Sequence, residues 1–269
     1  MQKTMTVLGA ILLVAGIALG AIAFASVGFD PQKLSGQTDF EQMQFVVAAD
    51  KVKALEIGDE NNSIVLARSS DQNIVITYYE SQKDRYDLGV DNGGKLTMRY
   101  VNNRKWYERI GIQWGHPDTH VTVALPAGFR SDLALGTVNG SITAEEQLAG
   151  SMRASTTNGD IRLNNVSATG GAVVSTVNGQ IVLGGLTADS ITASGVNGQI
   201  QLGGIAANGS ITISTTNGSI SGSVQGSAQD YTVNAGTVNG SCNLTNSTGG
   251  AKSLSVHTTN GSIDVRFLS

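Results

Sequence analysis

The chain has 269 residues, with 34 Gly, 3 Pro, one Cys, 40% hydrophobic residues, 14% charged residues and a net charge of -4 at pH 7. Ordinary globular chains hold about 7% Gly and about 25% charged residues, so this one is Gly-rich and charge-poor. That composition excludes an acidic disordered tail and a basic nucleic-acid footprint, and one Cys excludes an internal disulfide framework or a multi-cysteine metal site.

No charged residue lies between Lys3 and Asp30, and the stretch VLGAILLVAGIALGAIAFASVGF is almost wholly Ala, Ile, Leu, Val and Gly. About 20 helical residues cross a ~30 Å hydrocarbon core, and backbone amides in lipid must bond within their own segment. Residues 1–29 are therefore expected to form one transmembrane anchor, meeting the membrane through residues 5–28. Lys3 is the only preceding charge, which places the N-terminus in the cytoplasm and the C-terminal domain outside a single-pass cell membrane protein. A cleaved leader is the competing reading. Ala21-Ile22-Ala23 and Ala23-Phe24-Ala25 are small-x-small sites, although the apolar run is longer than the roughly 7–15 residues usual there. Gly16 and Gly20 stand at GxxxG spacing, which can bring two helices close but is common in membrane helices anyway.

Residues 30–45, with Pro31 and polar neighbours, read as a linker, and residues 46–269 as one continuous β domain. Over 46–130 the domain is irregular. VKALEIGDENNSIVLA, QNIVITYY, YDLGVDNGGKLTMRY and HVTVALP alternate as strands do, with turn signals at Asn61-Asn62 and Asp91-Asn92-Gly93-Gly94. They read as degenerate copies of the unit that follows. Residues 100–120, YVNNRKWYERIGIQWGHPDTH, break the pattern with both Trp residues and a higher charge density. Tyr100, Trp106, Tyr107, Arg109 and Trp114 form a candidate patch for a sugar, peptide or protein partner, because aromatics with Arg are typical of interface hot spots. The same residues suit a cap over an open strand edge, or contact with lipid headgroups.

Over 131–269 an Asn-Gly pair recurs at Asn139-Gly140, Asn158-Gly159, Asn178-Gly179, Asn197-Gly198, Asn217-Gly218, Asn239-Gly240 and Asn260-Gly261. The intervals are 19, 20, 19, 20, 22 and 21 residues. Counted from each Asn, positions -6 and -4 (Leu133 and Leu135 in the first copy) and +3 and +5 (Ile142 and Ala144) are mostly apolar, with polar residues between. Each copy therefore reads as strand, turn, strand, with Gly supplying a positive φ that Asn also tolerates. A fixed period of this kind marks a repeat architecture. The expected fold class is all-β: a β-solenoid, parallel β-helix-like, of ~20-residue strand-turn-strand repeats preceded by one N-terminal transmembrane helix. Equivalent strands would stack about 4.8 Å apart. A row of antiparallel hairpins, each closed by Asn-Gly, also fits. Columns of Thr at -2, Asn at zero and Ile at +3 favour the stack, as does a core so thin that Tyr231 and Phe267 are the only aromatics after residue 130. Cys242 occupies the Ile column and reads as a small buried hydrophobe.

The charge-free N-terminal run, the degenerate strand repeats, the Leu125-Pro126 step and the terminal run from Thr258 to Phe267 (TTNGSIDVRF) resemble the bacterial DUF4097 family of candidate adhesins, across residues 40–269. The resemblance implies a right-handed β-helix-like fold at the cell envelope. It implies no established activity and no catalytic residues. Some relatives are encoded beside envelope-stress regulators, which supplies a rival role. Among the residues themselves, Asp132, Glu145, Glu146, Asp160, Asp189, Asp230 and Asp264 fall in different columns or distant rungs, so no carboxylate pair is expected to converge. Asp160 with Arg162 reads as a surface ion pair. Nucleophile-elbow, phosphate-loop and zinc motifs do not occur. The chain is read as no enzyme and as using no cofactor or metal. It is expected to be a membrane-anchored, surface-exposed β-repeat protein, an adhesin or envelope structural module, whose partner is an envelope glycan or another envelope protein. The alternative is an envelope-stress sensor or regulatory scaffold that binds a membrane partner.

Overall fold

The computed structural model describes residues 40–103 and 119–269. The expected transmembrane anchor, most of the linker, and Trp106, Tyr107, Arg109 and Trp114 lie outside the described residues. Among the described residues no helix is long and apolar enough to cross a membrane. Nearly everything described is strand and turn.

The regular region begins with β8 (Asp132–Gly136) and β9 (Ile142–Glu145), one on each side of the Asn139-Gly140 turn. The next rung repeats this with β11 (Met152–Thr156) and β12 (Ile161–Asn164), and the one after with β14 (Gly171–Thr176) and β15 (Ile181–Gly184). Strands pair with their equivalents in neighbouring rungs, in parallel. β11 lies between β8 and β14, aligning Leu133, Met152 and Ala172. β12 lies between β9 and β15, aligning Ile142, Ile161 and Ile181. The column continues through Ile200 in β17 (Ile200–Thr215) and Ile220 in β18 (Ile220–Gln225). The stack is therefore the arrangement adopted, and the hairpin row is not. Each rung also has a short third side, formed by β10 (Leu148–Ala149), β13 (Ser167–Ala168), and parts of β16 (Thr187–Ser194) and β17. Ala149, Ala168, Ala188 and Ala207 line it, fully buried beside Gln147, Val166, Leu186 and Ile205. Full burial of one aliphatic side chain contributes roughly 1.5–3 kcal/mol, and every middle rung repeats several.

The turns are built differently from the expectation. None of the seven turn glycines has a positive φ. They are required by closeness instead. A Cβ on Gly159 would stand 1.9 Å from the Gly140 carbonyl oxygen, and one on Gly179 would stand 1.8 Å from that of Gly159. In the first four copies the left-handed residue comes seven places after the Asn: Glu146 (φ 52°), Asn165 (53°), Gly185 (61°) and Gly204 (68°). Two ladders fix the turn backbone. Asn158, Asn178, Asn197 and Asn217 each donate Nδ2–H to the Oδ1 of the Asn one rung before, at 2.8 Å. Thr156, Thr176 and Thr215, two residues before the turn Asn, donate their hydroxyls to the preceding turn-glycine carbonyl at 2.9–3.0 Å.

At both ends the order in space departs from the order in the chain. β20 (Lys252–Asn260) lies between β17 and β19 (Tyr231–Asn239), aligning Ile211, Leu254 and Val233. β21 (Ile263–Leu268) pairs with β18 on the other face. Likewise β2 (Ala54–Gly58) lies between β6 (Lys95–Asn102) and β8, and β3 (Ser63–Ser69) lies between β7 (His120–Pro126) and β9. The first and last rungs of the sequence are each second in the stack. Asn61 starts the amide ladder by accepting from Asn139, and Asn260 carries the ladder from Asn217 to Asn239.

Residues 54–69 are thus a rung, as expected of a degenerate copy, but residues 73–90 are not. β4 (Asn73–Glu80) runs antiparallel to β7, and β5 (Asp84–Val90) runs antiparallel to β6 through the Asp91–Gly94 turn. These strands carry Tyr78, buried in this end of the core, and Tyr86, packed against it, and lack the Asn-Gly column that locks a parallel rung. β1 (Glu41–Ala48) begins inside the segment expected to be linker. It pairs antiparallel with β4 because Phe45 and Val47 rest against the core. Cys242, expected to be buried, is half-buried, because its rung is the outermost one and only Ile263 lies beside it.

Candidate functional site

β6 places Tyr100 in the outermost rung at the N-terminal end. Alternation along β6 buries Leu96 and Met98 and turns Arg99 outward. The Tyr100 hydroxyl donates to Asp84 Oδ1 at 2.5 Å, and its ring meets Tyr86 edge-on at 5.8 Å. Tyr86 in turn packs edge-on against Tyr78 at 5.3 Å. Edge-to-face pairs of this kind add about 0.5–1.5 kcal/mol beyond their burial.

Below the rings sits Asp59, a buried carboxylate at the end of β2. It accepts the backbone N–H groups of Asn61 and Asn62 at 2.8 and 2.7 Å, the Asn62 amide at 3.3 Å, and the Tyr86 hydroxyl. Those four donors satisfy the charge that burial would otherwise penalise. They also fix the turn that starts the amide ladder. Burial, and then the Asp59 charge, push the Tyr86 phenol well above its ordinary range. Asn62 extends the cluster by accepting the Thr119 hydroxyl at 2.6 Å.

An open groove of about 390 Å³ runs beside this cluster, lined by Glu56, Asp59, Arg99, Tyr100, Thr137 and Val138. Glu56 bridges Lys95 at 2.5 Å and Arg99 at 3.2 Å. The Lys95 hydrogen bond, with Arg99 adding to it, holds the Glu56 carboxyl below its usual range. The groove therefore presents a guanidinium, a paired carboxylate, an aromatic face and an exposed Val. This set suits recognition of a polar ligand with an apolar face.

Of the residues singled out in the sequence, Tyr100 lines this groove. Gly140, Gly159, Gly179, Gly198, Gly218 and Gly261 sit inside the turns, and Gly240 lies exposed in the outermost one. Asn139, Asn158, Asn178, Asn197, Asn217, Asn239 and Asn260 form an exposed strip. Beside that strip Val138, Val177, Val196 and Val238 are exposed too. Asp160 and Arg162 pair at 2.9 Å as expected. The sequence reading missed Asp59, Asp84, Tyr86 and Glu56. Among the described residues no three His, Cys, Asp or Glu gather as metal ligands would. A second opening, of about 590 Å³, lies at the far end of the stack between Tyr231, Leu244, Thr248, Val265 and Phe267.

The family model described as Toastrack DUF4097 matches residues 52–267. No protein of curated function matches the chain. Among solved structures, a candidate adhesin from Bacteroides fragilis aligns with TM-score 0.47 at 13% identity, covering 86% of this chain and 98% of that one. A candidate cell adhesion protein from Clostridium sporogenes aligns with TM-score 0.37 at 9% identity, covering 86% and 100%. A candidate adhesin from Parabacteroides merdae aligns with TM-score 0.35 at 13% identity, covering 87% and 98%. At such identities the likeness does not extend to individual residues.

Proposed function

The chain belongs to the Toastrack DUF4097 family, and on that premise we propose that it is a membrane-tethered, non-enzymatic adhesive module displayed outside the cell. The observation that carries this reading is the groove at Tyr100, with Arg99 and Glu56 at its mouth. In sequence, Tyr100 opens the segment that holds both Trp residues. Aromatic faces beside a guanidinium are the surface chemistry with which proteins hold sugars and peptides. The apolar run over residues 5–28 supplies the tether, and Lys3 ahead of it supplies the orientation. The partner is an envelope glycan or another envelope protein.

Retention of the full chain, in detergent, on isolated cell-wall and surface polymers tests the reading. Wild type is retained, and Tyr100→Ala or Arg99→Ala weakens retention about tenfold, the equivalent of ~1.4 kcal/mol. Trp106→Ala and Trp114→Ala extend the test to the neighbouring segment. A wild type that passes through every polymer, or a C-terminal tag at Ser269 that protease cannot reach on intact cells, overturns it.

A further inference from the structure

The two ends of the stack are finished differently. At the N-terminal end the outermost strands, β1 and β5, run antiparallel to their neighbours and carry exposed Glu41, Arg85 and Asp87. At the other end the outermost strand is β19. Its inner edge pairs with β20 from Tyr231 to Asn239. Its outer edge is covered over the first half alone. Val233 exchanges backbone hydrogen bonds with Ser247 at 3.1 and 3.0 Å, and the Ala235 N–H donates to Asn246 Oδ1 at 2.6 Å. From Gly236 to Asn239 no strand pairs with that outer edge among the described residues. The amide ladder stops there as well: Asn239 donates to Asn260 at 2.7 Å, and no further Asn donates to Asn239.

Open edges in soluble proteins are ordinarily blunted with Lys, Pro, a bulge or a covering loop. This one has none of these past Ala235. No charged residue and no Pro stands between Asp230 and Lys252. Val238, 75% exposed, is the most exposed large hydrophobic side chain among the described residues. The opening beside Leu244, Val265 and Phe267 leaves the end of the core partly uncovered.

We infer that this end is an interface, and that two copies of the chain meet there end to end, with β19 of one beside β19 of the other. A two-fold axis across the strands sets the pair antiparallel and closes the assembly at two copies. The occupant is a second copy of this end because the open edge from Gly236 to Asn239 carries no charge and meets itself with none on the paired strands to desolvate. A head-to-tail contact would set the same uncharged edge against Glu41, Arg85 and Asp87. The pairing supplies the missing hydrogen bonds of Gly236–Asn239 and covers Val238.

The test is disulfide trapping of the full chain in detergent, in a Cys242→Ser background. Val238→Cys forms a linked dimer at least about tenfold faster than Val177→Cys, its counterpart in the middle of the stack, because pairing raises the effective thiol concentration. Val238→Lys, in the chain otherwise unchanged, sediments as a folded monomer that still melts cooperatively, while wild type sediments as a dimer. Equal trapping at the two positions overturns the inference. So does a monomeric wild type, or a dimer that survives Val238→Lys and is lost on Gly16→Leu, which would assign association to the N-terminal segment. Glycan retention is unaffected in every case, so this interface and the groove at Tyr100 fail or stand separately.

Discussion

From Asp132 to Gln225 the stack is held by repetition, whereas from Glu41 to Pro126 it is held by contacts made once. In the middle, Ile181 meets Ile161 on one side and Ile200 on the other, and the Asn178 amide is bonded to Asn158 before it and Asn197 after it. Each residue is supported by its equals, so every rung obeys one rule: aliphatic inside, Gly where the neighbouring carbonyl passes. At the N-terminal end the strands turn antiparallel, and Asp59, Asp84, Tyr86 and Tyr100 each do something no other residue repeats. Repetition makes a structure that is extended and uniform. Single contacts make the only described region with a layered aromatic cluster, and it is there that the groove lies.

The sharpest way to break the contrast is to put a charge in a column. Ile200 is fully buried, and Ile200→Asp costs more than about 4 kcal/mol, enough to unfold the rungs around it. Gln199→Asp, next to it on the outer side, stays within about 0.5 kcal/mol. Equal shifts in thermal melts of the two variants would undo the assignment of inside and outside. Gly179→Ala comes next, at about 3 kcal/mol, because its Cβ has no room beneath the Gly159 carbonyl. The control is Gly89→Ala in β5, where a Cβ meets nothing within 4 Å.

Tyr86→Phe probes the other region. Leaving buried Asp59 short of a donor costs about 1–3 kcal/mol in chemical denaturation. It also changes the pH profile. The folded state keeps this phenol protonated well above its ordinary range, while in the unfolded chain it ionises near pH 10. The stability it contributes is therefore complete below about pH 10 and lost as the pH rises toward the folded value. Burial shifts Tyr78 and Tyr231 upward too, so Tyr86→Phe makes the alkaline fall in melting temperature shallower without removing it. Thr176→Val costs less, about 1 kcal/mol, since it removes one hydroxyl bond of 3.0 Å from a turn that the amide ladder still holds. A loss as large as that of Gly179→Ala would mean that the threonine column, and not closeness, sets the turn.

The columns were legible because parallel stacking returns the same environment every 19–22 residues, and the Ile positions flagged by that period are buried in every rung from Ile142 to Ile220. The role of the turn glycines was not. Asn-Gly signals a left-handed turn when the neighbours are in the same hairpin, but here the decisive neighbour is a carbonyl about 20 residues away in sequence. The third side was hidden because Ala149 and Ala168 sit in two-residue strands, too short for any period to show. The exchanged end rungs were hidden for the opposite reason: a TVNG rung carries the same columns wherever it is placed. What distinguishes the outer rung is Tyr231, which stacks against Phe267 at 5.6 Å in a part of the core with room for rings. In the groove, Tyr100 stood out as an aromatic in a charged segment. Its partners did not, because Glu56 lies 43 residues from Arg99 and Asp59 lies 27 from Tyr86.

The placing of β20 and β21 inside the stack has a mechanical consequence. In a stack laid down in chain order, the last strand has one neighbour, and a pull on the C-terminus peels it away bond by bond. Here the last rung of the chain is clamped on both flanks along β20, by β17 on one side and β19 on the other. Tension applied near Ser269 first peels β21, which pairs along its length with β18 alone, and then reaches β20, which must shear out between two sets of backbone bonds loaded together. Unravelling that starts in β21 thus stops at the next strand inward, which is held on both flanks.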